Sequence, residues 1–132
     1  MAQKEIISPG DLGEPIGPFV RGIRSGNIIA ISGTSALSHV KGPLDSRDLP
    51  TEFEAQARLT FKNLTISLRS AGLGWDSVVK MMVIIKRRED YAQLNAIRKE
   101  LFEKIPMAST TFIAELLRND MLIEVDVWAV SP

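Results

Sequence analysis

A chain of 132 residues with 16 basic and 16 acidic side chains has a formal net charge of +0, and 45% of its residues are hydrophobic. That length fits one domain spanning 1–132 with a core that needs no metal or cross-link. The neutral balance leaves no broad footprint for nucleic acid or an anionic membrane. Cysteine is absent, which excludes disulfides, thiolate nucleophiles and thiolate metal sites, and fits a cytoplasmic protein.

The opening MAQKEIISPG has no apolar core of a secretory signal, and no run reaches membrane-spanning length. Residues 4–7 read as a short strand, and SPGDLGEPIGP (8–18) as loop, with three prolines and three glycines. FVRGIRSGNIIAISGT (19–34) predicts two strands around a Ser25-Gly26-Asn27 turn. Residues 35–50 form a long loop of the kind that often carries function. Thr51 and Glu54 then have the T-x-x-E spacing of a capping box. Phe53, Ala57, Phe61, Leu64, Leu68 and Ala71 follow at helical spacing, and Gly72 and Gly74 close the helix.

SVVKMMVIIKRR (77–88) is a nearly unbroken apolar run, which predicts a central strand covered on both faces. Asp90, with Gln93 three residues on, can cap a second helix whose stripe is Tyr91, Leu94, Ile97, Leu101 and Phe102; Pro106 blocks its continuation. Segments 108–117 and 121–130 complete the order β-β-β-α-β-α-β-β. Such an order builds an α+β layer, two helices on one face of a mixed sheet. In the last strand, alternation sets Ile123, Val125, Val127 and Ala129 on one face and Leu122, Glu124, Asp126, Trp128 and Val130 on the other. The second face mixes large apolar groups with two carboxylates and suggests contact with another subunit.

Glu124 and Asp126 stand ~6.5–7 Å apart along that strand. Partly buried, either could have a raised pKa and act as an acid or base. His39, the lone histidine, sits beside Ser38 in the long loop without a nucleophile elbow, so no Ser-His-Asp triad is indicated. No spaced ligand set points to a metal, and no GxGxxG or GxxxxGK[ST] loop points to a nucleotide; no cofactor is expected. Ser32-Gly33-Thr34 ends a strand, where a glycine lets backbone approach a ligand closely. Lys86-Arg87-Arg88 is a local basic patch at a strand end. Ser109, Thr110 and Thr111 line the start of the penultimate strand, and Asn95 stands outside the core stripe of the second helix.

Four segments, in register over nearly the whole chain, resemble the YjgF/L-PSP family, also called the Rid enamine/imine deaminases. GPFVRGIRSGNIIAISGT is similar to that family's glycine-proline-aromatic segment closing on Ser-Gly. EAQARLTFKNLTISLRSAGLGWDSVVKMMVII resembles its first helix and following strand, DYAQLNAIRKELF its second helix, and LIEVDVWAV its closing strand. The resemblance implies a chorismate-mutase-like α+β fold assembled as a homotrimer, with ligand clefts between subunits. It implies hydrolysis of small enamines or imines such as 2-aminoacrylate to a 2-keto acid and ammonia.

Carried over by position, Glu124 falls on the glutamate that orients water, Ser32 and Gly33 on the family Ser-Gly, Asn95 on the helix asparagine, and Phe19 where tyrosine is usual. The arginine that pairs with the substrate carboxylate falls on Ala108. Arg21 could replace it, on the same face as Phe19 if that segment is extended; Arg118 is a weaker candidate. Otherwise a neutral or larger ligand could be held by Ser109 and Thr110, with Glu124 as base. Three functions stay open: hydrolysis of an imine-type metabolite other than 2-aminoacrylate, metabolite binding without turnover, and RNA cleavage or translational inhibition.

Overall fold

A computed structural model describes residues 3–132. Its elements follow the predicted order: β1 (Lys4–Ile7), β2 (Gly22–Ser25), β3 (Ile28–Thr34), α1 (Phe53–Ser70), β4 (Val78–Ile85), α2 (Tyr91–Phe102), β5 (Ala108–Ile113) and β6 (Ile123–Val130). One six-stranded sheet carries them in the order β1-β2-β3-β6-β4-β5. Only β4 and β5 run parallel, joined through α2. The last strand therefore inserts between β3 and β4, so Glu124 lies mid-sheet.

The β2–β3 hairpin turns on Gly26-Asn27, with Gly26 at φ +62. A type II′ turn reserves that position for glycine. Helix α1 buries Phe53, Ala57, Phe61, Leu64 and Leu68, the predicted stripe. It ends in a Schellman motif: the Leu73 N–H donates to Leu68 O and the Gly72 N–H to Arg69 O, with Gly72 at φ +76. Phe61 and Phe102 meet edge to face at 5.2 Å and join the two helices. Beneath them Met81, Val83, Ile85, Ile123, Val125 and Val127 form the sheet side of the core.

The structure corrects four local expectations. The α1 N-cap is Glu52, without a side-chain cap bond; Thr51 lies outside the helix, and the buried Gln56 side chain reaches back to Pro50 O at 2.7 Å. Asp90 does not cap α2 through its carboxylate. A 3₁₀ turn (Arg88–Asp90) runs straight into the helix, and the carboxylate accepts from Arg87 Nε and Nη2 at 2.8 and 3.0 Å. Tyr91 and Leu101 of the second stripe stand exposed. Strand β4 is covered on one face only: Met81, Val83 and Ile85 are buried, whereas Lys80, Met82 and Ile84 are half-buried. Both helices lie on the same side, and among the described residues no helix covers the opposite face, which loops cover only around Glu124. There Trp128 is 49% exposed and Ile28, Phe112 and Val130 are also exposed.

Candidate functional site

The ladder between β3 and β6 is interrupted. Ile31 pairs with Val127 and Thr34 with Val125, so Ser32 and Gly33 together oppose Asp126. This is a β-bulge, a device that ends regular pairing and re-aims neighbouring side chains. Beside it Glu124 enters a cavity of about 200 Å³, lined also by Phe19, Arg21 and Gly33. A Cβ at Gly33 would overlap Glu124 Oε1, so the carboxylate occupies space only a glycine leaves free.

Ser32 holds the cavity wall in place. Its Oγ donates to Val20 O at 2.6 Å and its N–H to Arg21 O at 2.9 Å. The segment from Phe19 to Arg21 is irregular backbone that precedes β2, yet both side chains reach the same cavity. Burial pushes the Glu124 pKa up, and the neighbouring Asp126 charge adds to that. Burial also raises Asp126, against the opposing pull of Lys80.

Arg21 is buried and committed to main chain. Nε and Nη2 donate to Gly13 O at 3.2 and 2.7 Å, Nη2 also to Ser38 O at 3.3 Å, and Nη1 to Ser38 Oγ at 3.3 Å. It therefore lines the cavity as a pre-fixed wall, with most of its donors already engaged. Sequence reasoning missed a second buried guanidinium there, Arg47, which donates to Gly42 O, Leu37 O and Glu14 O. Ser35, Leu37, Ser38, Leu44 and Arg47 are the part of the 35–50 loop that lines the cavity. Arg118 braces this loop from outside the cavity: Nη1 donates to Leu44 O and Arg47 O, while Nε and Nη2 pair with Asp120. His39 stands exposed on the same loop.

The other predicted residues lie elsewhere. Ala108, Ser109 and Thr110 are exposed on edge strand β5, separated from β6 by β4. That is two inter-strand spacings, about 10 Å. Alternation puts Ser109 on the helix side and Thr110 on the open side, so they cannot jointly hold a ligand against Glu124 within one chain. Thr110 Oγ1 accepts from Lys80 Nζ at 2.8 Å. Asn95 Oδ1 accepts from Arg98 Nη2 at 2.6 Å, and Arg98 Nη1 donates to Ser109 Oγ at 2.9 Å, a bridge from α2 to β5. The basic patch is partly engaged: Lys86 donates to Asn119 O and Arg87 pairs with Asp90. Among the described residues no helix is long and apolar enough to cross a membrane, and no group of three metal-ligating side chains occurs.

Fold and site together define a YjgF-like α+β protein: a mixed sheet with both helices on one face and a carboxylate in a cavity beside a bulged central ladder. The chain belongs to the YjgF/L-PSP family, whose model, described as endoribonuclease L-PSP, matches residues 11–131. It is 32% identical over 130 residues to a RutC family protein of Synechocystis, covering 97% of each chain. It is 30% identical over 125 residues to a 2-iminobutanoate/2-iminopropanoate deaminase of Dermatophagoides farinae, covering 90% of this chain and 91% of that one. The crystal structure of Escherichia coli TdcF with bound serine superposes with a TM-score of 0.85 at 25% identity, over 97% of this chain and 99% of that one.

Proposed function

We propose that the cavity beside the bulge hydrolyses a small imine, or an enamine after tautomerisation, and that Glu124 is its general base. The observation that carries this reading is a carboxyl with an upward-shifted pKa, held against Gly33 in a cavity of about 200 Å³. A base poised above the ordinary carboxylate range is better matched to proton transfer from water near neutral pH. Water, deprotonated by Glu124, adds to the carbon of the C=N bond. The proton passes to nitrogen to give a carbinolamine. The hydroxyl proton of that carbinolamine then moves to nitrogen through Glu124, the C–N bond breaks as the C=O bond forms, and a carbonyl compound and ammonia leave. Phe19 supplies an apolar wall, and the Ser32-Gly33 backbone borders the reacting group. No cofactor enters this scheme. The deaminase name of the mite relative supports the reaction class.

The same reading makes the protein a single-domain cytoplasmic homotrimer. The exposed Ile28, Phe112, Trp128 and Val130 on the open sheet face support burial against other copies. Clefts between subunits would bring Ala108, Ser109, Thr110 and Asn95 of one copy toward the Glu124 cavity of the next. Ala108 stands where the family resemblance places a carboxylate-binding arginine, which favours a substrate other than 2-aminoacrylate. It equally favours a second reading, a trimer that binds a metabolite without turnover.

An imine-hydrolysis assay separates these. An amino-acid oxidase generates 2-iminopropanoate in situ, and semicarbazide traps what survives. The hydrolase reading expects native turnover that falls roughly 10²–10⁴-fold in Glu124→Gln. Activity gained only by Ala108→Arg would mean an intact scaffold serving another ligand. Ligand binding without turnover, unchanged in Glu124→Gln, would establish the binding protein instead.

A further inference from the structure

Arg21 and Arg47 come from loops 26 residues apart (47 − 21), yet both line the Glu124 cavity and both are buried, at 7% and 5% exposure. Buried guanidinium groups are ordinarily paired with carboxylates. Among the described residues every ion pair involves other arginines: Arg24, Arg58, Arg87 and Arg118. The acceptors around Arg21 and Arg47 are neutral, namely the carbonyls of Gly13, Glu14, Leu37, Ser38 and Gly42 and the Ser38 hydroxyl. Two like charges thus share one small cavity with neither in an ion pair, although the Glu14 charge acts on Arg21 and the Glu124 carboxyl lines the same space.

Their donors are also not exhausted. Arg47 Nη1 and Nη2 each make one bond, to Leu37 O and Glu14 O, which leaves one N–H on each without an acceptor. Arg21 Nη1 likewise donates once, to Ser38 Oγ. Guanidinium N–H groups match the two oxygens of a carboxylate. The carbonyl contacts fix both side chains before a ligand arrives, so little side-chain entropy remains to be lost on binding.

We propose that Arg47, together with Arg21, forms an anion subsite in the Glu124 cavity that takes the carboxylate of a small ligand from within the same chain. The ligand class is a short aliphatic carboxylate, because the remaining lining includes Ile16, Leu37, Leu44 and Leu117 and the space is about 200 Å³. This deepens the hydrolytic reading and rests on it for the use of Glu124. It also gives the chain a carboxylate anchor at residues other than Ala108. The downward pull on the Arg21 pKa, from burial first and then from Arg47, agrees with two cations awaiting an anion, although Glu14 acts in the opposite direction.

The test uses propionate and its neutral isostere propionamide. Propionate should raise the melting temperature of the native protein saturably at constant ionic strength, and propionamide should not. Arg47→Gln should weaken propionate binding about 30-fold or more, and Arg47→Lys should retain part of it. Because Arg47 also braces loops, Nε–H signals of the native protein provide a second readout by ¹⁵N–¹H spectroscopy. Those of Arg21 and Arg47 should move saturably with propionate.

If those signals stay still, or propionate and propionamide act alike, the subsite is overturned. A Glu124-dependent hydrolysis with KM unchanged in Arg47→Gln also overturns it while the hydrolytic reading stands. Arg47-dependent propionate binding without any turnover leaves the subsite standing and removes the hydrolytic reading.

Discussion

Gly33 and Glu124 share one space: a Cβ on Gly33 would overlap Glu124 Oε1, and its Cγ and Cδ crowd the same point. The bulge at Ser32-Gly33 brings the β3 backbone to the carboxylate, and the missing side chain lets it stay there. Gly33→Ala should therefore displace Glu124 while the chain still folds, at a cost of about 1–3 kcal/mol for the forced overlap. Misplacement of a catalytic group by about 1 Å can cost roughly 100-fold in rate. Thermal unfolding and steady-state turnover of this variant check both effects; unchanged turnover would mean that Glu124 is not the base.

The upward pKa shift of Glu124 fixes the sign of a pH dependence. Folding favours its protonated form, so its contribution to stability is fully present below the ordinary carboxylate range. That contribution is lost as pH rises through the shifted value. Glu124→Gln should gain stability over the native protein as pH increases, with the smallest gap below the ordinary carboxylate range and the largest once pH exceeds the shifted value. Asp126 shifts in the same direction, and Asp126→Asn should behave likewise. Turnover that needs ionised Glu124 should rise with pH over the same window. Melting curves across pH, paired with pH–rate profiles, test the shared origin.

Ser32→Ala removes the Oγ donation to Val20 O and loosens the segment that carries Phe19 and Arg21. A single hydrogen bond contributes about 0.5–1.5 kcal/mol, so the melting temperature should fall modestly. The larger effect should be a raised KM, because one cavity wall loses its tether. A raised KM with kcat nearly unchanged is the expected pattern.

Gln56 is 1% exposed and ties three chain segments together. Its Nε2 donates to Pro50 O and Asp120 O, at 2.7 and 2.9 Å, and its Oε1 accepts from Leu122 N–H at 2.8 Å. These bonds hold the entry to α1 and the turn into β6, one residue before Ile123. Gln56→Leu leaves these main-chain groups without their partner. At about 1–3 kcal/mol for a buried group left unsatisfied, a loss of at least ~2 kcal/mol is expected. Denaturant unfolding measures it, and a loss below ~0.5 kcal/mol would show the tie to be dispensable.

The strands and helices were legible because their signals are local. Periods of 2 and 3.6 place Val125 and Val127, or Leu64 and Leu68, on one face without knowledge of what covers it. Gly26, Gly72 and Gly33 were legible because each meets a demand for backbone freedom or close approach. The buried polar ladder of α1 also has a local signal: Gln56, Thr60, Asn63 and Ser67 recur at spacings of four, three and four, beside the apolar stripe. All four are buried, so the covered face of this helix is wider than its apolar residues alone suggest.

The sequence by itself determined the order of elements, the alternation that turns Glu124 away from the core, and the family. Tertiary structure decided which distant residues meet Glu124. It left Ala108, Ser109 and Thr110 on an edge strand of the same chain and brought Arg21 and Arg47 to the cavity instead. The reason is physical. A side chain's face follows from backbone geometry within a few residues, whereas the loops at the cavity are set by arginine bonds to carbonyl oxygens. Every residue carries such a carbonyl, so the sequence holds no mark of which one will be used.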